Sequence, residues 1–356
     1  AIDIDYYETY DIVDAAITWA KNILKIDMSK YDSDKDGYID GVWCIYSCPN
    51  YTNNGPKTDY TNYWAYTNWG NQDVTPNVKN PIYNLFGWAS YDFMYDGYGI
   101  EKIDTHTYIH ETGHFLGLND YYSDQMSYNP VGKVDMMDGN IADHNSYSKM
   151  LLGWTKPYVV TGNANINLAS MANENSLIVI PGDSTTITNN EFDPFGEYIL
   201  VEYYTNEGLN YNDSIDKYSN GLEAPKESGV RIYHIDNRKF IVDLSNDFNM
   251  TIKEHTNEKI TSTTKYALPI TNKRGMDNYN MYFNLDININ LFDEIRLIES
   301  SNNDTFSNGG KQKAKNYFHE GDSFSLEKYG KNFFINENKF NNGDTFSYKV
   351  LIEEVK

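Results

Sequence analysis

The sequence predicts an α+β protein in which a mixed helix-and-strand region precedes a β-rich one. Three observations predict it. Apolar residues recur at helical spacing over residues 10–26 and again over 104–116. Short apolar runs of strand length, such as Val42–Tyr46 and Leu85–Met94, lie between those helices. From about Thr155 the texture changes to short β-rich runs separated by Asn, Asp and Gly loops. That change sets two domains, 1–156 and 157–356.

The first helix carries Ile12, Val13, Ala16, Ile17, Ala20, Ile23 and Leu24 on one stripe and suits the back of a sheet. No strand precedes it. Next comes Asp32-Ser33-Asp34-Lys35-Asp36-Gly37-Tyr38-Ile39-Asp40. Asp32, Asp34, Asp36 and Asp40, with the Tyr38 carbonyl between them and Gly37 at the sharp turn, have the spacing of a calcium loop. The twelfth position holds Trp43 instead of a bidentate glutamate, so affinity should be weaker or another carboxylate must complete the shell. A turn of short acidic side chains that closes without metal is the competing explanation.

Val42–Tyr46 then reads as a buried strand. Cys44 and Cys48, the two cysteines of the chain, lie too far apart along an extended segment to bond, and read as two buried free thiols. Residues 49–81 read as a long ordered loop with a short strand at Tyr63–Tyr66. Trp64 and Trp69 either line a cleft or pack the loop.

The chain is organised around His110-Glu111-Thr112-Gly113-His114, followed by Gly117 and Asp120. On a helix, residues four apart share a face, so His110 and His114 can aim two imidazoles at one ion. Glu111 sits beside that face and can reach a water without taking a ligand position. This is the zinc-hydrolase pattern. The pentamer alone is weak, because chance can place it on a solvated helix; the continuation strengthens it. Gly117 permits a left-handed turn that ends the helix, and Asp120 then offers a hard oxygen donor. Asp124, Asp138 and His144 are rivals for the third ligand. Tyr108, Ile109, Thr112, Phe115 and Leu116 read as the buried side, with Asp104 or Thr105 as N-cap. His106 reads as a packing or outer-layer residue.

Downstream, Met137 lies in a tight turn, where a polarisable thioether can form an apolar floor beneath ligand histidines; a plain core methionine is the alternative. Ser146–Trp154 reads as a third helix with Tyr147, Met150, Leu151 and Leu152 inward. Ser176–Ile180, Tyr198–Tyr204, Val230–Ile235, Glu294–Ile298 and Thr345–Ile352 read as strands of an antiparallel sandwich.

Composition narrows the function. Formal net charge is −22, which argues against nucleic acid and against anionic lipid as partners. No apolar run approaches a membrane span. The 32 tyrosines place hydroxyls on much of the apolar area. No signal peptide is visible at Ala1, so a secreted protein would be represented here in processed form.

Taken in order, four segments resemble the immune inhibitor A group of secreted bacterial zinc metallopeptidases, a metzincin-like family. They are the acidic loop from Tyr31 to Asp40; His110 to Tyr121; Asp135-Met136-Met137 with Ser148 to Trp154; and Tyr198 to Tyr203 with Gly229 to Asp236. The resemblance covers most of residues 30–240. It implies a metzincin-like catalytic domain, with a mixed sheet, a backing helix and an active-site helix, before the sandwich-like region. It implies endopeptidase action on protein or peptide substrates, export, a pro-segment, and Met137 as the methionine of the turn under the metal. The expected cofactors are Zn²⁺ on His110, His114 and Asp120, and Ca²⁺ on the acidic loop. Glu111 is the expected general base, with Tyr147 or Tyr122 as candidates to support the transition state. A non-catalytic surface binding protein and a zinc hydrolase of a non-protein amide are the competing functions.

Overall fold

A computed structural model describes residues 6–47, 64–70, 75–95, 102–123, 127–174, 176–185, 187, 192–243, 251–255, 265–272 and 292–355. The protein is α+β, with six α-helices and fifteen strands among these residues. Its two compact units are Ala1–Leu118 and Asn119–Lys356. Composition changes at 156/157, but residues 119–156 belong to the second compact unit.

In the first unit, helix α1 spans Tyr6–Asn22. It starts and stops about four residues earlier than its periodicity predicts. Val13 is its buried anchor, with Ile12, Ile17 and Ala20 partly covered. Ile23 and Leu24 fall beyond the helix end and are exposed, as is Ala16. Strand β1 (Tyr38–Ile39) lies near the end of the acidic loop, just before Asp40, and pairs in parallel with β4 (Ile82–Tyr83). Strands β2 (Val42–Tyr46), β3 (Tyr66–Trp69) and β5 (Leu85–Ser90) form a mixed sheet in the order β2-β5-β3, parallel between β2 and β5 and antiparallel between β3 and β5.

Central β5 is the most buried of the three, and Phe86 and Trp88 join Val13, Met28, Ile39 and Tyr83 in one core. Edge strand β2 is only half buried, with Ile45 exposed, so the expectation of a buried strand there fails. Cys44 is a free thiol, partly exposed, and burial pushes its pKa up; Cys48 lies outside the described residues. The strand expected at Tyr63–Tyr66 sits three residues later, where Tyr66–Trp69 can pair with Leu85–Trp88. Trp64 packs edge-on against Phe93.

Helix α2 spans His106–Phe115. Its packing against the sheet depends on two glycines. A Cβ on Gly41 would meet the Phe115 ring at 2.7 Å, and one on Gly87 would meet Trp43 at 2.8 Å and Phe115 at 3.0 Å. The slot so formed lets Phe115 stack on Trp43, with ring centroids 5.4 Å apart.

In the second unit, short helices α3 (Met136–Gly139) and α4 (Ser146–Leu151) precede a five-stranded sheet. Its strands are β6 (Tyr158–Val159), β7 (Leu177–Pro181), β8 (Glu197–Tyr204), β9 (Gly229–Asp236) and β13 (Ile295–Ile298), in the order β13-β9-β8-β7-β6. All neighbours are antiparallel except β6 and β7. Strands β10 (Lys239–Asp243), β11 (Thr251–His255) and β12 (Lys265–Pro269) form a separate small sheet, order β11-β10-β12.

Ile199, Val201, Val230, Ile232 and Ile298 face an aromatic layer that includes Phe318, Phe324, Tyr329, Phe333, Phe340 and Phe346. Of the helices, α6 (Leu326–Phe333) contributes Leu326, Tyr329 and Phe333 to that layer, whereas α5 (Leu209–Ile215) contributes none; the strand Ser323–Phe324 and loops supply the remainder. The sandwich expectation is corrected here, because a helix, loops and only a two-stranded pair, Ser323–Phe324 with Val350–Leu351, cover this face. Thr345–Ile352 keeps its alternating burial, but only β15 (Val350–Leu351) forms a strand ladder, with β14 (Ser323–Phe324). Alternation reports which face is buried, whereas a ladder needs a neighbouring strand.

The seven tyrosines fully buried among the described residues all find hydrogen-bond partners for their hydroxyls, including Tyr204 on the Pro225 carbonyl at 2.8 Å and Tyr329 on that of Ser300 at 2.8 Å. A tyrosine-rich core is viable because these polar tips are satisfied.

Candidate metal centre

Asp104 supplies the N-terminal cap of α2. Its Oδ1 accepts from the His106 backbone N–H at 2.9 Å and from His106 Nδ1 at 2.6 Å. Thr105, the residue at the cap position, makes no side-chain cap bond. His106 is therefore held at the helix start, one turn before His110. Gly117 has φ +94° and turns the chain as its sequence position predicts, with the Leu118 N–H closing on the Gly113 carbonyl at 3.0 Å.

The covered face of α2 differs from the predicted one. Thr107, His110, Glu111 and Gly113 are buried, while Leu116 is 51% exposed. Tyr108, Ile109, Thr112 and Phe115 are only partly covered. The histidine face is thus an interior face. The helix is anchored to the edge of the first-unit sheet by Thr67 on β3, whose hydroxyl donates to the Glu111 carbonyl at 2.9 Å.

His110, His114 and Asp120 each offer a ligand atom, and these atoms all lie within 4.8 Å of one another. The two imidazoles meet at 88° with centroids 4.9 Å apart. His114 Nδ1 lies 2.8 Å from the Leu118 carbonyl oxygen. A carbonyl can only accept, so Nδ1 carries the proton and the neutral ring keeps its Nε2 lone pair for an ion. Two imidazoles and one carboxylate form a donor set suited to a borderline divalent ion such as zinc, and the residues present fit that group.

Of the rivals for the third position, Asp138 is committed elsewhere: it accepts from the Lys133 backbone N–H at 2.9 Å and from Lys133 Nζ at 3.0 Å. His144 is buried beside Trp154. Asp124 lies outside the described residues. Met137 is wholly buried in the short turn of α3, where Asp135 caps the Met137 N–H at 2.8 Å. Burial raises the Asp135 carboxyl to about 7. The same carboxylate accepts from the Asn145 N–H at 3.2 Å, and Glu202 on β8 accepts from the Ser146 N–H at 2.7 Å while pairing with Arg231. The start of α4 is thereby tied to the turn and to the sheet.

The expectation for Tyr147 is corrected. Its side chain is fully buried and its O–H donates to Glu294 Oε1 at 2.8 Å, which leaves no donor for a developing oxyanion. Tyr122 is half-buried, with Lys133 Nζ 5.4 Å from its ring centroid.

In the acidic loop, Asp32, Asp34 and Asp40 also gather ligand oxygens within 4.8 Å. Asp36 stands outside that group and accepts from the Tyr38 N–H at 2.7 Å. Asp32 accepts from the Asp36 and Gly37 N–H groups at 3.1 Å each, and Asp40 accepts from the Ser33 N–H at 3.1 Å. Gly37 has φ +90°, and a Cβ there would strike the Asn77 backbone at 2.6 Å, so glycine is required at this turn. The backbone is thus closed by its own aspartates while three carboxylates remain grouped.

Sequence reasoning missed Asn119, Asn272 and Glu294, whose side chains hold the segment around Asp120. Asn119 Nδ2 donates to Glu294 Oε2 at 2.8 Å, and Asn272 Nδ2 donates to the Tyr121 carbonyl at 2.9 Å. Only the adjacency of Asn119 to Asp120 hinted at any of them; residues 272 and 294 carry no local signal. No family model and no curated protein matches the chain.

Proposed function

We propose that the chain is a secreted zinc-dependent endopeptidase, akin to the immune inhibitor A group, with a metzincin-like catalytic fold. The observation that carries this reading is the convergence of His110, His114 and Asp120 ligand atoms within 4.8 Å, with Glu111 next to them in sequence and buried. His110, His114 and Asp120 hold the ion. When bound, zinc supplies Lewis acidity, which lowers the pKa of a water to about 7 and offsets charge developing on a peptide carbonyl oxygen.

Glu111 accepts the proton of the attacking water and delivers it to the departing amine. Its burial keeps that carboxylate away from bulk solvent. An extended peptide adds along β3, the antiparallel edge of the first-unit sheet that Thr67 ties to α2. Main-chain pairing there places a scissile bond beside the helix without demanding one side chain, as an endopeptidase of broad substrates requires.

Cleavage of denatured protein, followed by mass spectrometry of the products, tests the reading. A chelator should abolish cleavage and added Zn²⁺ should restore it. Activity that persists after complete metal removal, or no cleavage of any protein by the zinc-loaded chain, overturns it.

A further inference from the structure

The residues flanking Asp120 are held on four sides. Before it, the Asn119 amide donates to Glu294 Oε2 at 2.8 Å. After it, the Tyr121 N–H donates to the Met137 carbonyl at 2.7 Å, and the Tyr121 carbonyl accepts from Asn272 Nδ2 at 2.9 Å. The Tyr121 hydroxyl bonds Ser148 Oγ at 2.8 Å. Glu294 is in turn oriented by Tyr147, whose O–H occupies its other oxygen at 2.8 Å.

Asn272 is fully buried and its amide is fully used. Besides Tyr121 it donates to the Ile295 carbonyl at 2.8 Å and accepts from the Ile295 N–H at 3.1 Å. Residues 272 and 294–295 therefore form one platform at the start of β13, and that platform grips both neighbours of Asp120.

We infer that Asn272 and Glu294 are positioning residues for the metal centre: with the Met137 carbonyl they fix the Asn119–Tyr121 segment and hence the direction in which Asp120 offers its carboxylate. This rests on the metal-centre reading above. A purely structural role explains the arrangement less well. A buried carboxylate and a buried amide are costly ways to stabilise a fold, and apolar side chains of similar volume would serve better. What polar groups add is direction, which a ligand needs. Gly117 makes the requirement acute, because the turn it permits leaves Asp120 without helical support.

The experiment measures Zn²⁺ affinity by chelator competition, and the visible spectrum of the Co²⁺ form, on the full chain. Asn272→Ala and Asn119→Ala are compared with wild type and Asp120→Ala. Each should weaken Zn²⁺ roughly 10–100-fold and move the Co²⁺ spectrum toward that of Asp120→Ala. In the Asp120→Ala background neither should weaken binding further, since the ligand they orient is gone.

A folded variant with wild-type affinity and spectrum overturns the inference. So does a loss of equal size in the Asp120→Ala background, which would mark a general structural effect. Should Asn272→Ala fail to fold, half-buried Asn119→Ala decides alone. Wild type that takes up no metal overturns the metal centre and the inference with it. Wild type that binds metal but cleaves no protein overturns the peptidase reading and leaves the inference standing.

Discussion

Glu111 illustrates how much one helical position decides. It is next to His110 in sequence and three residues before His114, so it lies beside their shared face, where the proposed mechanism needs a base. Only 7% of it is exposed. Glu111→Gln keeps the shape but replaces one acceptor oxygen with an amide donor and so removes the base. Proteolysis should fall by about 10²- to 10⁴-fold while Zn²⁺ affinity stays near wild type. Steady-state kinetics with a metal titration check this; retained turnover would remove Glu111 from the mechanism. Tyr147 shows the opposite case, since a tyrosine near a metal motif reads as a catalytic donor until its hydroxyl proves committed to Glu294.

At the scale of elements, α2 is placed by the slot between Gly41 and Gly87. The added Cβ of Gly87→Ala would collide with both Trp43 and Phe115, and over-packing of this kind costs about 1–3 kcal/mol. Chemical denaturation should show that loss, and an unchanged midpoint would mean that the rings move aside freely. The acidic loop around β1 makes a second prediction. Its grouped Asp32, Asp34 and Asp40 carboxylates repel one another unless a cation is shared. Added Ca²⁺ should raise the melting temperature by preferential binding to the folded state, and Asp34→Ala should abolish the rise. A melting curve indifferent to Ca²⁺ would discard the calcium site and leave the aspartate-closed turn. Motif spacing located both elements, but hydrophobic periodicity assigned the wrong covered face to α2. Histidine and glutamate score as polar, so a buried polar face cannot be distinguished from a solvated one by hydropathy.

For the whole molecule, buried carboxylates link stability to pH. Burial raises Glu294 from 4.5 to about 7, against the opposing hydrogen bonds from Asn119 and Tyr147. Asp135 is raised likewise from 3.8 to about 7. A carboxyl whose folded pKa is raised binds more protons in the folded state, so its stabilising share is complete below the unfolded pKa and is lost as pH rises through about 7. Glu294→Gln cannot titrate. In metal-free protein, its melting temperature relative to wild type should therefore increase between about pH 5 and 8, a window that brackets the raised pKa. A difference that stays constant with pH would show that Glu294 titrates normally.

The sequence by itself determined what is local. The spacing of His110, Glu111 and His114 is set by 3.6 residues per turn, and Gly117 by the need for positive φ. The strands at 42–46, 85–90 and 197–204 follow from β-rich runs bounded by turn residues. Tertiary structure alone decided which face of α2 is covered, that a helix and loops close one face of the five-stranded sheet, and that Asn272 and Glu294 grip the flanks of Asp120. The physical reason is separation along the chain. Asn119 and Glu294 are 175 positions apart, and Tyr121 and Asn272 are 151 apart. Dihedral preference and hydrophobic period act over one or two turns, so contacts at that range exist only once the sheet has brought its strands together.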